Sequence, residues 1–362
     1  MNIQKIVLNI ILTIESLFLN LIKVKINRIV FISLESNELT FDFKLIYDEL
    51  DKSKYDVRLC LIKYEKNLKG QFLYFLNCLK QLYYIYTSRL IVLNDNNYAV
   101  SHFKRKGTIV FQIWHACGAI KKFGNVINRE YSISNYDYVL STSSYWKKPY
   151  SEAFSVKEEN VIPLGMPRND ELFNKNKRNE YRESLYRKYP YLKNKKIILY
   201  APTFRGNIYK GFSSIPFDAC KIINAFNDDY VLLYKFHPLL GNIKLAEHER
   251  IINMNNEDTH HLFCITDYLI SDYSSIIFDF MILEKPILFY VPDLEEYARD
   301  LGVFVDISKM NCSICKIEDD IINSIKTLNF DKDNIRMLKN TFFDISDDRS
   351  TSRVVEFINH IL

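Results

Sequence analysis

Two histidines close apolar runs in this chain. His115 sits in VFQIWHACGAIKKFG (Val110–Gly124), with Lys121 and Lys122 soon after it, and His237 sits beside Lys235 in YKFHP (Tyr234–Pro238). Imidazole is a ready base near neutral pH, so a histidine carried at a strand end is a candidate for moving a proton. A third segment, SDYSS (Ser271–Ser275), separates the strand-like run Tyr268–Ile270 from the helix-like run Ile276–Leu283. Hydroxyls and unpaired backbone N–H groups then cluster where a strand feeds a helix, a geometry that favours phosphate. An ordinary N-cap uses the same residue types. The phosphate reading is preferred because this turn is one of several ordered signals.

Two further segments complete the set. PLGMPRND (Pro163–Asp170) is a glycine turn bearing Arg168 and Asp170, and in LYAPTFRGN (Leu199–Asn207) Thr203 and Arg205 leave a strand. Three of the five segments fall in the second half and offer His, Arg, Thr, Ser and backbone amides, a cradle suited to the spread charge of a pyrophosphate. A P-loop lysine motif and a GxGxxG fingerprint are both absent. A lone histidine is usually a hydrogen-bonded structural imidazole, and His102, His248, His260, His261 and His360 take that reading.

The elements that must position these residues alternate. Strand-like runs at Ile29–Leu34, Val57–Ile62, Leu90–Leu93, Ile109–Ile113, Tyr138–Leu140 and Val161–Pro163 are interleaved with helix-like pieces such as Phe41–Leu50, Phe72–Tyr86 and Tyr145–Phe154. A charged stretch, Asn174–Lys196, includes a helix from Arg178 to Tyr189. The alternation then restarts at Ile197–Tyr200, Val231–Phe236, Ile251–Asn253, Tyr268–Ile270 and Ile287–Tyr290. Such alternation predicts βαβ units with parallel sheets covered on both faces. The expectation is an α/β protein of two Rossmann-like domains facing across a cleft, with boundaries at 26–175 and 196–335 and a connector at 176–195. The segment 336–362 is expected to pack back towards the first domain, its last part, Arg349–Leu362, as a helix. Ligands of open parallel sheets sit beyond the carboxyl ends of the strands, where the polar segments fall.

Composition narrows the class. The chain has 362 residues, 48% hydrophobic, with nine Gly and nine Pro, enough for two cored domains without long flexible linkers. A net charge of +4 describes no polycation, so nucleic acid is not an expected partner. Seven scattered cysteines without a signal-peptide cleavage pattern point to a reducing cytosol. Cys312-Ser-Ile-Cys315 lacks a second Cys or His pair at zinc spacing and reads as ordinary thiols. The first 25 residues are apolar but interrupted by Asn2, Lys5, Asn9, Thr13, Ser16, Asn20 and Lys23 on one helical face. Glu15 and the repeated Asn argue against a membrane span. A helix lying in a membrane surface and a helix packed on the protein's own core are both open. The basic and aromatic stretch Lys63–Arg89, with Lys66, Lys69 and Lys80, either faces the same surface or is a solvated helix face.

The ordered set QIWHACGAIKKFG, LGMPRND, ILYAPTFR, KFHP, and ISDYSSIIFDF followed by KPILFY resembles the CDP-glycerol glycerophosphotransferase family. That family holds the teichoic acid primases and polymerases and capsule-type relatives that transfer ribitol phosphate. The resemblance runs from about Ile91 to Ile358, including SRVVEFI at Ser352–Ile358. It implies a GT-B-like pair of domains, with a CDP-glycerol or CDP-ribitol donor in the second and a lipid-linked or glycan acceptor in the first. By the same resemblance His115 is the acceptor base and His237 steadies the donor phosphates. Thr203, Arg205, Lys235, Ser271, Asp272, Ser274 and Ser275 lie on the donor side, and Lys121, Lys122, Arg168 and Asp170 on the acceptor side. No acidic cluster demands a metal, and a divalent ion stays open as an aid to the transfer.

The sequence departs from the family pattern in places. WHG reads Trp114-His115-Ala116, the Thr-Pro-Leu that commonly follows reads Cys117-Gly118-Ala119-Ile120, and the acidic-glycine signature near the C-terminus reads Ser346-Asp347-Asp348-Arg349. The long N-terminal region of the large polymerases is not in this sequence, which points towards a primase-like or capsule-type transferase. The expected activity is transfer of an alditol phosphate with release of CMP, by a cytoplasmic protein held at the inner face of the membrane. Two alternatives stay open: a GT-B glycosyltransferase using a nucleotide sugar, and a non-catalytic peripheral membrane binding protein. Nothing in the sequence bears on oligomeric state.

Overall fold

The computed structural model describes residues 3–65, 67–207, 211–237, 240, 243–296, 302–328 and 330–362. Asn2, Lys66 and Pro238, named above, lie outside these residues. Backbone contacts divide the chain into two compact units, one of Met1–His115, Phe123–Asp170 and Arg349–Leu362, the other of Ala116–Lys122 and Glu171–Asp348.

The first unit is built on strands β1 (Lys25–Ser33), β2 (Asp56–Leu61), β3 (Ser88–Leu93), β4 (Ile109–Gln112), β5 (Tyr138–Ser141) and β6 (Val161–Pro163). They form one parallel sheet in the order β2-β1-β3-β4-β5-β6. Ile29–Ile32 and Leu90–Leu93 are buried without interruption, as strands covered on both faces must be. The sheet order turns around beside β1, with β2 on one side and β3 on the other. The carboxyl ends of β1 and β3 therefore form a topological switch point, the place where open α/β sheets leave a crevice.

The helix Ser350–Ile361 closes this unit. Phe357 packs its ring 5.3 Å from that of Phe111 and 5.1 Å from that of Tyr138, and the Tyr55 hydroxyl donates to Asn359 Oδ1 at 2.7 Å. Its start lies so close to Gly165, at φ +87°, that a Cβ there would come within 2.4 Å of Ser350 Oγ. The glycine of LGMPRND is thus required by packing. At the other end of the chain, the helix Ile3–Leu19 buries Leu12, Ser16 and Leu19. It turns Ile6, Ile10, Ile14, Leu17 and Phe18 outward, and the helix Leu68–Thr87 packed against it exposes Leu68, Phe72 and Leu76. No described helix is long and apolar enough to cross a membrane.

The second unit carries β7 (Lys196–Tyr200), the antiparallel pair β8 (Arg205–Asn207) and β9 (Gly211–Ser213), then β10 (Tyr230–Tyr234), β11 (Ile251–Asn253), β12 (Tyr268–Ser271), β13 (Ile287–Tyr290) and β14 (Ser313–Cys315). Its parallel sheet runs β11-β10-β7-β12-β13-β14, the doubly wound nucleotide-fold order with its switch point between β7 and β12. The charged stretch after Asp170 is a helix, Lys175–Lys188, capped by Asn174, whose side chain accepts from Asn176 and Lys177 N–H. The short strands β8, β9 and β14 were not expected from the sequence, because none carries the adjacent β-branched pair that marks the equally short β6 (Val161-Ile162) and β11 (Ile251-Ile252).

Candidate functional site

In the first unit the chain leaves β4 through Trp114 at φ +57°, a left-handed conformation that is costly for a bulky residue, by about 1–3 kcal/mol. Packing offsets it: Trp114 is buried, stacks on Phe123 at 4.8 Å between ring centroids, and donates its N–H to Gln112 Oε1 at 2.8 Å. This turn carries His115 to the switch point. His115 Nδ1 lies 3.1 Å from the carbonyl oxygen of Asn94, just past β3, and 3.4 Å from Glu35 Oε1, just past β1. Asn94 Nδ2 donates to the other Glu35 oxygen at 3.1 Å. Two acceptors facing Nδ1 assign the proton to that nitrogen and leave the Nε2 lone pair to act as a base. Burial pushes the Glu35 carboxyl above its ordinary value, and the His115 charge opposes that shift.

Arg168 and Asp170 lie in the same unit but are engaged with it internally. Arg168 clamps the buried Asp42, with its N–H 2.8 Å from Oδ1 and Nε 2.6 Å from Oδ2. Asp170 accepts from the Ser350 and Thr351 N–H groups, both at 2.8 Å, and from Thr351 Oγ1 at 2.6 Å. Its carboxylate caps the C-terminal helix, since free N–H groups at a helix start attract an anionic acceptor. These contacts make Asp170 a holder of the fold at the start of that helix.

Residues 116–122, which include Lys121 and Lys122, fall in the second unit by their backbone contacts. The cause is local pairing. Cys117 Sγ donates to the Asp279 carboxylate at 2.8 Å, Phe304 N–H bonds to Ile120 O at 2.7 Å, and Lys122 N–H bonds to Gly302 O at 3.2 Å. Lys122 keeps an exposed side chain. Lys121 reaches the end of β7, its Nζ 3.1 Å from Thr203 Oγ1, and burial pulls its pKa down to about 8.

At the second switch point Arg205 is held by two carboxylates. Its Nη1 lies 2.7 Å from Asp272 Oδ2 and its Nε 2.7 Å from Asp293 Oδ2. Asp272 is fully buried and also accepts from Thr203 N–H at 2.8 Å. Burial pushes its carboxyl up while the Arg205 charge pulls it down. Ser271, equally buried, donates to Ala201 O at 2.7 Å and ties β12 to β7. Lys235 Nζ binds the carbonyls of Asn255 and Glu257 at 3.0 and 2.6 Å. Ser271, Asp272 and Lys235 therefore shape the strand ends from within. Ser274 and Ser275 are half-buried at the start of the helix Ile276–Met281, where Ser275 makes no side-chain cap bond. His237 is exposed, edge-on to Phe204 at 5.0 Å.

The sequence reading missed Glu35, Asn94, Asp42, Asp293 and the Cys117–Asp279 contact. Glu35 and Asn94 had one usable signal, each being a polar residue just after an apolar strand. Among the described residues no three His, Cys, Asp or Glu side chains are grouped as a metal site. Cys312 and Cys315 are free thiols whose pKa burial pushes up to about 12.

Residues 15–360 match the family model of CDP-glycerol:poly(glycerophosphate) glycerophosphotransferase. The chain is 31% identical over 364 residues to the teichoic acid ribitol-phosphate primase of Bacillus spizizenii, an alignment covering 94% of this chain and 93% of that protein. It is 29% identical over 376 residues to the teichoic acid glycerol-phosphate primase of Bacillus subtilis, covering 95% and 94%. The solved structure of the wall teichoic acid polymerase TagF shares the fold with a TM-score of 0.75 at 22% identity, covering 99% of this chain and 95% of that one. With the family motifs sitting at the carboxyl ends of two parallel sheets, the chain belongs to the CDP-glycerol:poly(glycerophosphate) glycerophosphotransferase family.

Proposed function

We propose that this protein transfers an alditol phosphate, glycerol or ribitol phosphate, from a CDP-alditol to a hydroxyl of a lipid-linked or polymer glycan, releasing CMP, in teichoic acid synthesis. The observation that carries the reading is His115, whose Nδ1 faces Asn94 O and Glu35 at a switch point and leaves Nε2 as a base. In the proposed step the acceptor O–H gives its proton to Nε2 while the oxygen attacks the β-phosphorus. The bond from that phosphorus to the bridging oxygen breaks, and CMP leaves with the electron pair. Such transfers need positioning and charge neutralisation more than covalent catalysis. Glu35 stabilises the imidazolium as it forms. Lys121, Thr203, His237, Ser274 and Ser275 supply donors for the pyrophosphate, and Arg205 acts through the loop it fixes.

The exposed apolar stripe Ile6, Ile10, Ile14, Leu17 and Phe18 supports seating at a membrane surface, consistent with work at the inner face of the membrane on a lipid-linked acceptor. The test is CMP release from CDP-glycerol and CDP-ribitol with a glycan acceptor carried on undecaprenyl diphosphate. Acceptor-dependent CMP is expected, and the preferred donor names the alditol. Release of a nucleoside diphosphate from a nucleotide sugar instead, with no CMP from either donor, would replace this reading by sugar transfer.

A further inference from the structure

Gln112 is the last residue of β4, wholly buried, and paired in the sheet with Leu93 of β3 and Val139 of β5. Both ends of its side-chain amide are engaged by backbone. Oε1 accepts from Trp114 N–H at 2.8 Å, on the turn that delivers His115, and Nε2 donates to Asp95 O at 2.9 Å, on the loop after β3. That loop also carries Asn94, whose carbonyl faces His115 Nδ1 and whose side chain donates to Glu35. One amide therefore bridges the turn that bears the base and the loop that orients it. Its two partners fix which way it points, because a backbone N–H only donates and a carbonyl only accepts. A second tie acts on the same loop. Tyr136, buried beside Gln112, accepts from Asn97 N–H at 3.0 Å through its phenol oxygen, and Asn97 Nδ2 donates to Gln81 Oε1 at 2.9 Å. Residues 94–97 are thus held at Asp95 O, at Asn97 N and at the Asn97 side chain by three buried groups.

We propose that Gln112 is a positioning residue for the transfer, with Tyr136 as its support. The pair fixes the Asn94 carbonyl against His115 Nδ1, which keeps the imidazole proton on that nitrogen and leaves Nε2 to take the proton of the acceptor. Neither residue touches the reacting atoms; both act through His115. The chemistry demands an amide of this length. A methionine would fill the same space, yet it would leave Trp114 N–H and Asp95 O without a partner in the interior, and buried backbone groups left unpaired move until they find one. Trp114 is the more exposed to that loss, because its left-handed backbone, at φ +57°, is held in place partly by this bond. With the turn and the loop released from each other, the ring of His115 loses the acceptor that chooses between its two neutral forms. The proposal rests on the transferase reading above and adds to it the residues that aim its base.

The experiment compares the wild type with Gln112→Met and Tyr136→Phe. Two things are read: kcat and donor KM from CMP release, and the tautomer of His115 from histidine 15N chemical shifts at a pH where the ring is neutral. The His115 signals are assigned by their loss in His115→Ala. Tyr136→Phe removes a single oxygen and keeps the core filled, so it carries the test if Gln112→Met does not fold. Expected is a wild-type His115 protonated on Nδ1, a mixture of both tautomers in Gln112→Met, and a smaller shift in the same direction in Tyr136→Phe. Turnover should fall roughly tenfold or more in Gln112→Met, the usual effect of losing a group that orients a histidine, while donor KM keeps its wild-type value. An unchanged tautomer in both variants would overturn the proposal even if turnover fell, since the loss would then arise elsewhere. Wild-type turnover beside a changed tautomer would overturn it too. Absence of acceptor-dependent CMP in the wild type is a separate outcome: it removes the transferase reading, and the tautomer alone then decides whether Gln112 sets the imidazole.

Discussion

His115 Nδ1 and the Glu35 carboxylate lie 3.4 Å apart at the switch point of the first sheet, although 79 intervening positions separate them in the chain. The Asn94 carbonyl, 3.1 Å from the same nitrogen, completes an arrangement that aims the opposite ring nitrogen outward. His115→Ala should lower turnover by about 10²–10⁴-fold, the usual reach of a positioned base, with donor affinity unchanged. Glu35→Gln should lower it by roughly 10–100-fold, as for other partners that orient a histidine. The loss should fall on turnover, with donor KM unchanged, because Glu35 acts by orienting the imidazole. Wild-type turnover in Glu35→Gln would remove Glu35 from the base.

Arg205 is predicted to be structural before it is catalytic. Truncating it to Ala strands the fully buried Asp272 without its cation, which costs about 3–5 kcal/mol in comparable buried pairs. Thermal unfolding should show a large drop for Arg205→Ala, and a smaller one for the double variant Arg205→Ala/Asp272→Asn. Equal drops would mean that the pair is not coupled.

Lys121 should make donor binding pH-dependent. Burial holds its pKa near 8, below the ordinary lysine value, with Asp272 and Asp293 opposing that shift and Arg205 adding to it. Raising pH through this value removes the ammonium charge from the folded protein, so donor KM should climb above about pH 8. A bound pyrophosphate favours the charged form, so binding above that pH should take up a proton. Lys121→Gln should flatten the KM profile, and calorimetry in buffers of different ionisation enthalpy reads the proton. An unchanged profile would exclude Lys121 as a donor contact.

Asp170→Ala should loosen the C-terminal helix by removing three hydrogen bonds at its start. The expected loss is about 2 kcal/mol, within the range for a helix cap and its stranded N–H groups. Hydrogen exchange over Ser350–Ile361 locates the effect. Unchanged exchange there would show that the cap is dispensable.

Leu17→Glu combined with Phe18→Glu should abolish co-sedimentation with anionic vesicles, because both side chains are largely exposed on the apolar stripe. The buried Leu12 and Leu19 are untouched, so folding should persist. Vesicle binding at the wild-type level would remove this helix as the contact. If the double variant instead converts a dimer to a monomer, the stripe belongs to a second copy of the chain.

Much of the fold was legible because strands covered on both faces write themselves as apolar runs. Ile29–Ile32, Ile197–Tyr200 and Ile287–Tyr290 were all found this way, and each is buried. Short strands without an adjacent β-branched pair, such as β14, escaped. The N-terminal helix showed amphipathic spacing, yet which face packs could not be read. Its polar face supplies contacts to the rest of the unit, Asn9 accepting from Tyr98 and, at the surface, Lys5 pairing with Glu130, while an apolar stripe looks out. Burial depends on what a helix meets, and a helical pattern alone does not name its neighbour.

By itself the amino-acid order determined two runs of alternating strand and helix, the family motifs, and which polar residues follow each strand, including His115, Thr203 and Ser274. Those are local properties, set by side-chain periodicity and by where an apolar run stops. Only the tertiary structure decided the order in which strands lie side by side. That order brings Glu35 and Asn94 to His115, gathers Arg205 with Asp272 and Asp293, and gives residues 116–122 to the second unit. Each of these contacts joins segments distant in the chain, and its partner is chosen by sheet topology and packing, which a one-dimensional pattern does not encode.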